Sequence, residues 1–193
     1  MLALGVAAQA AGTLLVSTPA YLIPMLHAEG MPLAQAGLLA AAPTFGMVLT
    51  LVAWGALADR LGERWIIAGG LALTAVFAFA AVPVDGYAGL AVVLMLGGAA
   101  SASTNAASGR VVVGWFPRER RGLAMGIRQM SQPLGVAVAA LTVPALASDV
   151  GATAPFVLSG AAALVLAGLC AWGIRNPPRP SVPPGAAAAA TAN

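Results

Sequence analysis

Six stretches of this chain contain no Asp, Glu, Lys or Arg: 1–28, 30–58, 65–84, 86–109, 129–148 and 150–174. A helix rising 1.5 Å per residue needs about 20 apolar residues to cross about 30 Å of hydrocarbon. Each stretch is long enough for one crossing, and the pattern predicts helices over about 2–26, 33–57, 65–84, 87–109, 122–147 and 152–174. The first stretch does not read as a cleaved signal peptide, because it lacks a basic leading segment and its apolar run is too long. The expected architecture is an all-α membrane protein with six transmembrane helices.

Polar residues inside hydrocarbon must face another helix or a wet cavity, so their spacing reports which faces turn inward. Span one carries Gln9, Thr13, Ser17 and Tyr21, four residues apart in one slowly winding stripe. Span four carries Ser101, Thr104, Asn105 and Ser108 on one face, and span five carries Arg128, Gln129, Ser131 and Gln132. Span three offers only Thr74, and span six, at mid-span, only Ser159 and Cys170. A single Ser or Thr commonly bonds its own helix carbonyl. Three coordinated stripes point instead to a shared polar space between spans one, four and five.

Charge then sets orientation. Arg60 and Arg64 lie between spans two and three, Arg110, Arg118, Arg120 and Arg121 between four and five, and Arg175 and Arg179 after six. The alternate loops hold only His27, Glu29, Asp85 and Asp149. The positive-inside rule therefore predicts a cell-membrane protein with both termini cytoplasmic. Residues 1–175 read as a six-helix transmembrane domain. The Pro/Ala-rich segment 176–193 reads as a disordered cytoplasmic tail.

Composition narrows the function. Charged residues make up 8% of the chain against 60% hydrophobic, with mean hydropathy +0.91 and a pI near 10.0. A soluble domain carries about 25% charged residues. The basic pI comes from arginines placed by topology, so it does not argue for nucleic acid. One cysteine, Cys170, and one histidine, His27, suggest neither a disulfide nor a metal or other cofactor. An intramembrane enzyme would need a nucleophile with a base, or paired carboxylates, at membrane depth. The six spans hold no carboxylate and the histidine lies in a loop, so an enzyme is not expected.

Two motifs carry a resemblance. Between spans two and three lies Gly55-Ala56-Leu57-Ala58-Asp59-Arg60-Leu61-Gly62-Glu63-Arg64, expected to be a tight charged loop at a membrane face. It resembles the signature loop of the major facilitator superfamily, matching at Gly55, Asp59, Arg60, Gly62 and Arg64 and departing at Glu63, where the family usually has a base. Between spans four and five, the run from Trp115-Phe116-Pro117 through Arg121-Gly122-Leu123-Ala124-Met125-Gly126-Ile127 resembles the start of the family's fifth helix. Trp115 reads there as an interface anchor and Pro117 as a helix break. Gly122 and Gly126, continued by Ser131, Gly135 and Ala139, read as a small-residue face open to another helix. The resemblance implies the N-terminal half of a 3+3 inverted-repeat transporter, with helices one and four lining a central cavity. Asp59 and Arg60 would then serve the inside gate, where the family's aspartate contacts the other half. Leu94 stands where many proton-driven drug exporters of the family carry an arginine, a departure from that branch.

The implied function is secondary transport of a small solute by alternating access. Arg128 is the sharpest candidate: it lies seven positions past Arg121, about 11 Å along the helix, with Gln132 one turn farther. Such an arginine needs water, an anion or a partner, or else must snorkel to the interface. A cavity role makes Arg128, Gln132 and Gln129 substrate contacts, with Asn105, Thr13 and Ser17 across from them, and favours an anionic solute. The expected partners are that solute, the bilayer, and either a second six-helix half or a second copy of the chain. The competing readings are a truncated or non-transporting six-helix scaffold, and drug or metabolite efflux with the coupling residues in a second half.

Overall fold

The structure is a computed structural model that describes residues 2–175, without the side chains of residues 110, 111 and 113–115. The expectations for the tail 176–193 and for Trp115 as an anchor lie outside the described residues. Seven α-helices occur among them: α1 Leu2–Ala28, α2 Leu33–Leu61, α3 Glu63–Ala80, α4 Tyr87–Trp115, α5 Arg121–Gln129, α6 Ser131–Asp149 and α7 Ala154–Gly173. A single 3-10 turn, Arg118–Arg120, precedes α5. Six segments are long and apolar enough to cross a membrane, the fifth being Arg118–Asp149.

Three local expectations need correction. The charged segment 55–64 is not a loop: α2 continues through Asp59 and Arg60 to Leu61, and α3 begins at Glu63. The whole turn is one residue, Gly62, whose φ of 87° lies where a side chain is strained. The fifth span is not one helix either. Pro133 has no N–H for the Gln129 carbonyl and its ring crowds that oxygen, so the ladder breaks at Met130. Met130 N–H divides itself between the Gly126 and Ile127 carbonyls, at 3.3 and 3.2 Å. Finally, the small-residue face is split. A Cβ at Gly122 or Gly126 would meet nothing within 4 Å, while Ser131, Gly135, Ala139, Val143 and Ala147 form the buried face of α6.

Close helix approach holds the bundle together, because lipid tails are as apolar as the helices and give no hydrophobic drive between them. At the α2–α4 crossing, a Cβ on Gly46 would collide with the Met95 backbone and one on Gly98 with the Pro43 backbone. Thr50 Oγ1 and Trp54 Nε1 both donate to the Ala99 carbonyl there, at 2.9 and 2.6 Å. On the opposite side α6 packs on α1, where a Cβ on Gly135 would lie 2.5 Å from the Ala10 carbonyl oxygen. The outer surface stays apolar: Val52, Leu141 and Trp172 are 83, 79 and 86% exposed, as hydrocarbon permits.

Candidate functional site

The polar layer forms where α1, α4 and the α5–α6 break meet. Gln9 is 1% exposed, and a buried carboxamide without partners would be costly. Its Nε2 donates to Asn105 Oδ1 at 2.7 Å, and its Oε1 accepts from Ser108 Oγ at 3.2 Å. Asn105 and Ser108 stand three residues apart on α4, so one face presents both to α1. Gly12 lets α1 come close here, since a Cβ on it would touch Ser101 Cβ at 3.3 Å.

Arg128 completes the layer from the last turn of α5. Its Nε donates to Ser108 Oγ at 2.8 Å and its Nη2 to the Asn105 carbonyl at 2.9 Å. Nη1 reaches Gln129 Oε1 at 3.1 Å, with Met125 Sδ 3.8 Å away. Among the described residues, no carboxylate bonds this guanidinium. The half-buried side chain therefore runs sideways onto α4, a placement that neither the snorkelling nor the open-cavity expectation described. The guanidinium lies against Gly109 of α4, where a Cβ would meet Arg128 Cζ in ordinary contact at 3.8 Å. Ser131 Oγ bonds the Arg128 carbonyl at 2.6 Å, satisfying an acceptor at the broken end of α5.

A small cleft of about 40 Å³ opens beside the layer, lined by Gly12, Thr13, Val16, Met47, Ser101, Asn105 and Gln132. Three of the residues singled out in the sequence, Thr13, Asn105 and Gln132, thus meet at one opening. Arg128 and Gln129 do not line it; Arg128 bonds the Asn105 carbonyl, and Gln129 bonds Arg128. Ser17 lies outside the lining. Thr13 bonds its own helix at the Gln9 carbonyl, 2.9 Å, and Ser101 and Thr104 bond theirs at 2.9 and 2.8 Å.

Gln9 and Ser108, which the sequence places on the inward stripes but not among the substrate contacts, carry the layer together with Met47. A signal existed for the first. Gln9 and Asn105 are the sole carboxamides of spans one and four, and such groups in hydrocarbon seek each other. Met47 gave no signal, because a methionine in an apolar run is ordinary core.

The signature segment forms a second constellation at the arginine-rich end. Asp59 and Arg60 are exposed in the last turn of α2, while Glu63 is buried in the first turn of α3. An acid at that position meets the positive end of the helix dipole, which accounts for Glu63 where a base was expected. Arg64 Nε donates to the Ala171 carbonyl at 2.6 Å, one of the last carbonyls of α7, and the guanidinium lies 5.0 Å over the Trp65 ring.

The profile of the Major Facilitator Superfamily matches residues 2–192. An uncharacterised MFS-type transporter of Mycobacterium tuberculosis is 47% identical over 173 residues, covering 89% of this chain and 39% of that protein. A chloroplastic protein of Arabidopsis thaliana, named probable anion transporter 4, is 29% identical over 163 residues, 83% of this chain and 30% of its own length. Among solved structures, a bacterial homologue of the human lysosomal transporter Spinster, inward-facing and occupied, matches with a TM-score of 0.79. That match has 17% identity and covers 92% of this chain and 44% of the other. A D-xylose–proton symporter matches with a TM-score of 0.62 at 18% identity, over 92% of this chain and 48% of its own. At such identities the structural likeness speaks of fold alone. The chain spans about two fifths of the length of the mycobacterial relative, 39%.

Proposed function

Because the chain belongs to the major facilitator superfamily, we propose that it is one six-helix half of a secondary transporter for small anionic solutes. The observation that carries this reading is Arg128, a half-buried cation at the edge of the polar layer with only neutral protein acceptors around it. A positive charge in low dielectric attracts an anion over more than contact distance. The anion-transporter names of the plant relatives support the same class. The second wall of the cavity comes from another six-helix half, docked over the face where the Thr13–Asn105–Gln132 cleft opens. The reading is tested by uptake into proteoliposomes holding the assembled halves, comparing phosphate and carboxylate solutes with neutral sugars. Equal uptake of anions and neutral solutes removes it.

Both termini lie on the cytoplasmic side in this proposal. In a Cys170→Ala background, cysteines introduced at Glu29, Asp85 and Asp149 are expected to react with an impermeant thiol reagent in intact cells. Cysteines at the exposed positions Leu61 and Glu119 are expected to stay unlabelled. Labelling of the second pair reverses the orientation.

Asp59 is assigned to the inside gate. Its carboxylate lies exposed in the last turn of α2, at the arginine-rich end of the bundle where the family resemblance puts the contact between halves. Asp59→Asn is therefore expected to insert and fold normally and to slow transport by the assembled halves. Transport at the wild-type rate would leave the segment as a plain positive-inside turn.

A further inference from the structure

We propose that Gln9 is a positioning residue, locked by Arg128 through Ser108, that turns the Asn105 amide so that its N–H donor faces the cleft. This inference rests on the transporter reading and adds to it that the bound solute presents a hydrogen-bond acceptor to Asn105.

The polarity of the chain follows from which atoms can give a proton. A guanidinium has only donors, so Ser108 Oγ must accept from Arg128 Nε at 2.8 Å. The one hydroxyl proton of Ser108 then goes to Gln9, and the Gln9 atom 3.2 Å away must be Oε1. Gln9 Nε2 is thereby turned to α4, where it donates over 2.7 Å and requires the carbonyl oxygen of the Asn105 amide. Asn105 is left with its Nδ2, whose protein neighbour is Met47 Sδ at 3.6 Å, a weak acceptor. Asn105 and Met47 both line the 40 Å³ cleft, beside Thr13 and Gln132. A permanent charge at one end of the relay thus fixes a donor at the other, and carboxylate, phosphate or carbonyl oxygens complement it.

The locked orientation can be inverted by one substitution. An ionised carboxylate at position 9 has no donor, so in Gln9→Glu the Asn105 amide would turn Nδ2 toward residue 9 and expose Oδ1 to the cleft.

Asparagine occurs only at positions 105, 176 and 193, so selective ¹⁵N-asparagine labelling resolves the Asn105 side-chain amide in nanodiscs, with Asn176 and Asn193 assigned by substitution. In the wild-type protein, inorganic phosphate and acetate are expected to shift the Asn105 NH₂ pair. In Gln9→Glu the pair is expected downfield before any addition, and the anion-induced shift is lost. Ser108→Ala cuts the relay without adding a charge. It is expected to weaken the anion response about tenfold, the size of losing one oriented donor. An Asn105 pair at one position in all three proteins, or one that ignores both anions in the wild type, overturns the proposal. Solute uptake separates this from the transporter reading. A fixed Asn105 donor with no anion preference in uptake defeats only the latter, and anion uptake indifferent to Ser108→Ala defeats only the relay.

Discussion

Arg128→Ala is expected to lower uptake of anionic solutes by the assembled transporter by about tenfold to a hundredfold or more, while insertion and folding survive. Charge-assisted hydrogen bonds contribute about 1.5–3 kcal/mol each, and each 1.36 kcal/mol is a factor of ten in rate. The fold tolerates the loss because the partners of Arg128 keep other bonds. Ser108, released from Arg128, still has Gln9 within hydrogen-bond reach though no longer in a fixed direction, and Gln129 is exposed to solvent or cavity. Removing the charge also removes the cost of holding it near hydrocarbon. Arg128→Lys separates a specific role from a general one. The guanidinium reaches Ser108 Oγ, the Asn105 carbonyl and Gln129 at once from a planar fork, and a single ammonium does not reproduce that spread. Lysine is therefore expected to restore part of the uptake. If alanine and lysine variants both move phosphate, carboxylate and neutral solutes like the wild type, Arg128 is a structural tie between α5 and α4, and the anionic substrate class falls.

The largest effect on stability is expected at Gly98. A Cβ there would overlap the carbonyl oxygen, carbonyl carbon and Cα of Pro43, all of them backbone, so no rotamer change relieves the contact. The reciprocal contact, Gly46 on the Met95 carbonyl, pins the same crossing from the other helix. Gly98→Ala must push α2 and α4 apart and loosen the Thr50 and Trp54 bonds to Ala99. Overpacking of this kind costs about 1–3 kcal/mol, and a contact with no yielding side chain belongs at the upper end. Gly126→Ala is the matched comparison. Nothing lies within 4 Å of its added methyl, so the helix gains up to about 1 kcal/mol in propensity. Denaturation in mixed micelles followed by circular dichroism should rank Gly126→Ala at or above wild type and Gly98→Ala well below it. Equal midpoints would mean that the crossing yields without cost.

Several features of the fold were legible in the order of residues because hydrocarbon is an unforgiving solvent. Every polar residue inside a span has to be satisfied, so six uninterrupted apolar runs announce six crossings. The stripes on spans one, four and five likewise pointed to the helices that meet at the polar layer. The Asp59–Arg64 segment was legible as a charged break, although not its compression to the single residue Gly62. Pro133 is legible too, and the rule that a proline donates no hydrogen bond to the preceding turn predicts a break near Met130. The run around it is nonetheless apolar enough to cross as a single span.

Helical spacing says which residues share a face; it does not say which neighbour that face meets, and that decided the rest. Ser101 and Thr104 share the stripe of Asn105 and Ser108, yet they turn back onto their own helix while the other two bond Gln9. Gly122, Gly126 and Gly135 look equivalent in sequence, but among the described residues only Gly135 has a helix against it, α1 at Ala10 and Thr13. Arg128 could have reached for the interface or for open cavity, and its direction follows the acceptors that α4 offers, Ser108 Oγ and the Asn105 carbonyl. The sequence by itself determined how many spans there are, where they begin and which are polar, since solvent exclusion acts on each segment alone. Tertiary structure alone decided which polar groups pair and which glycines are contacts, since those depend on the rotation and crossing of helices far apart in the chain.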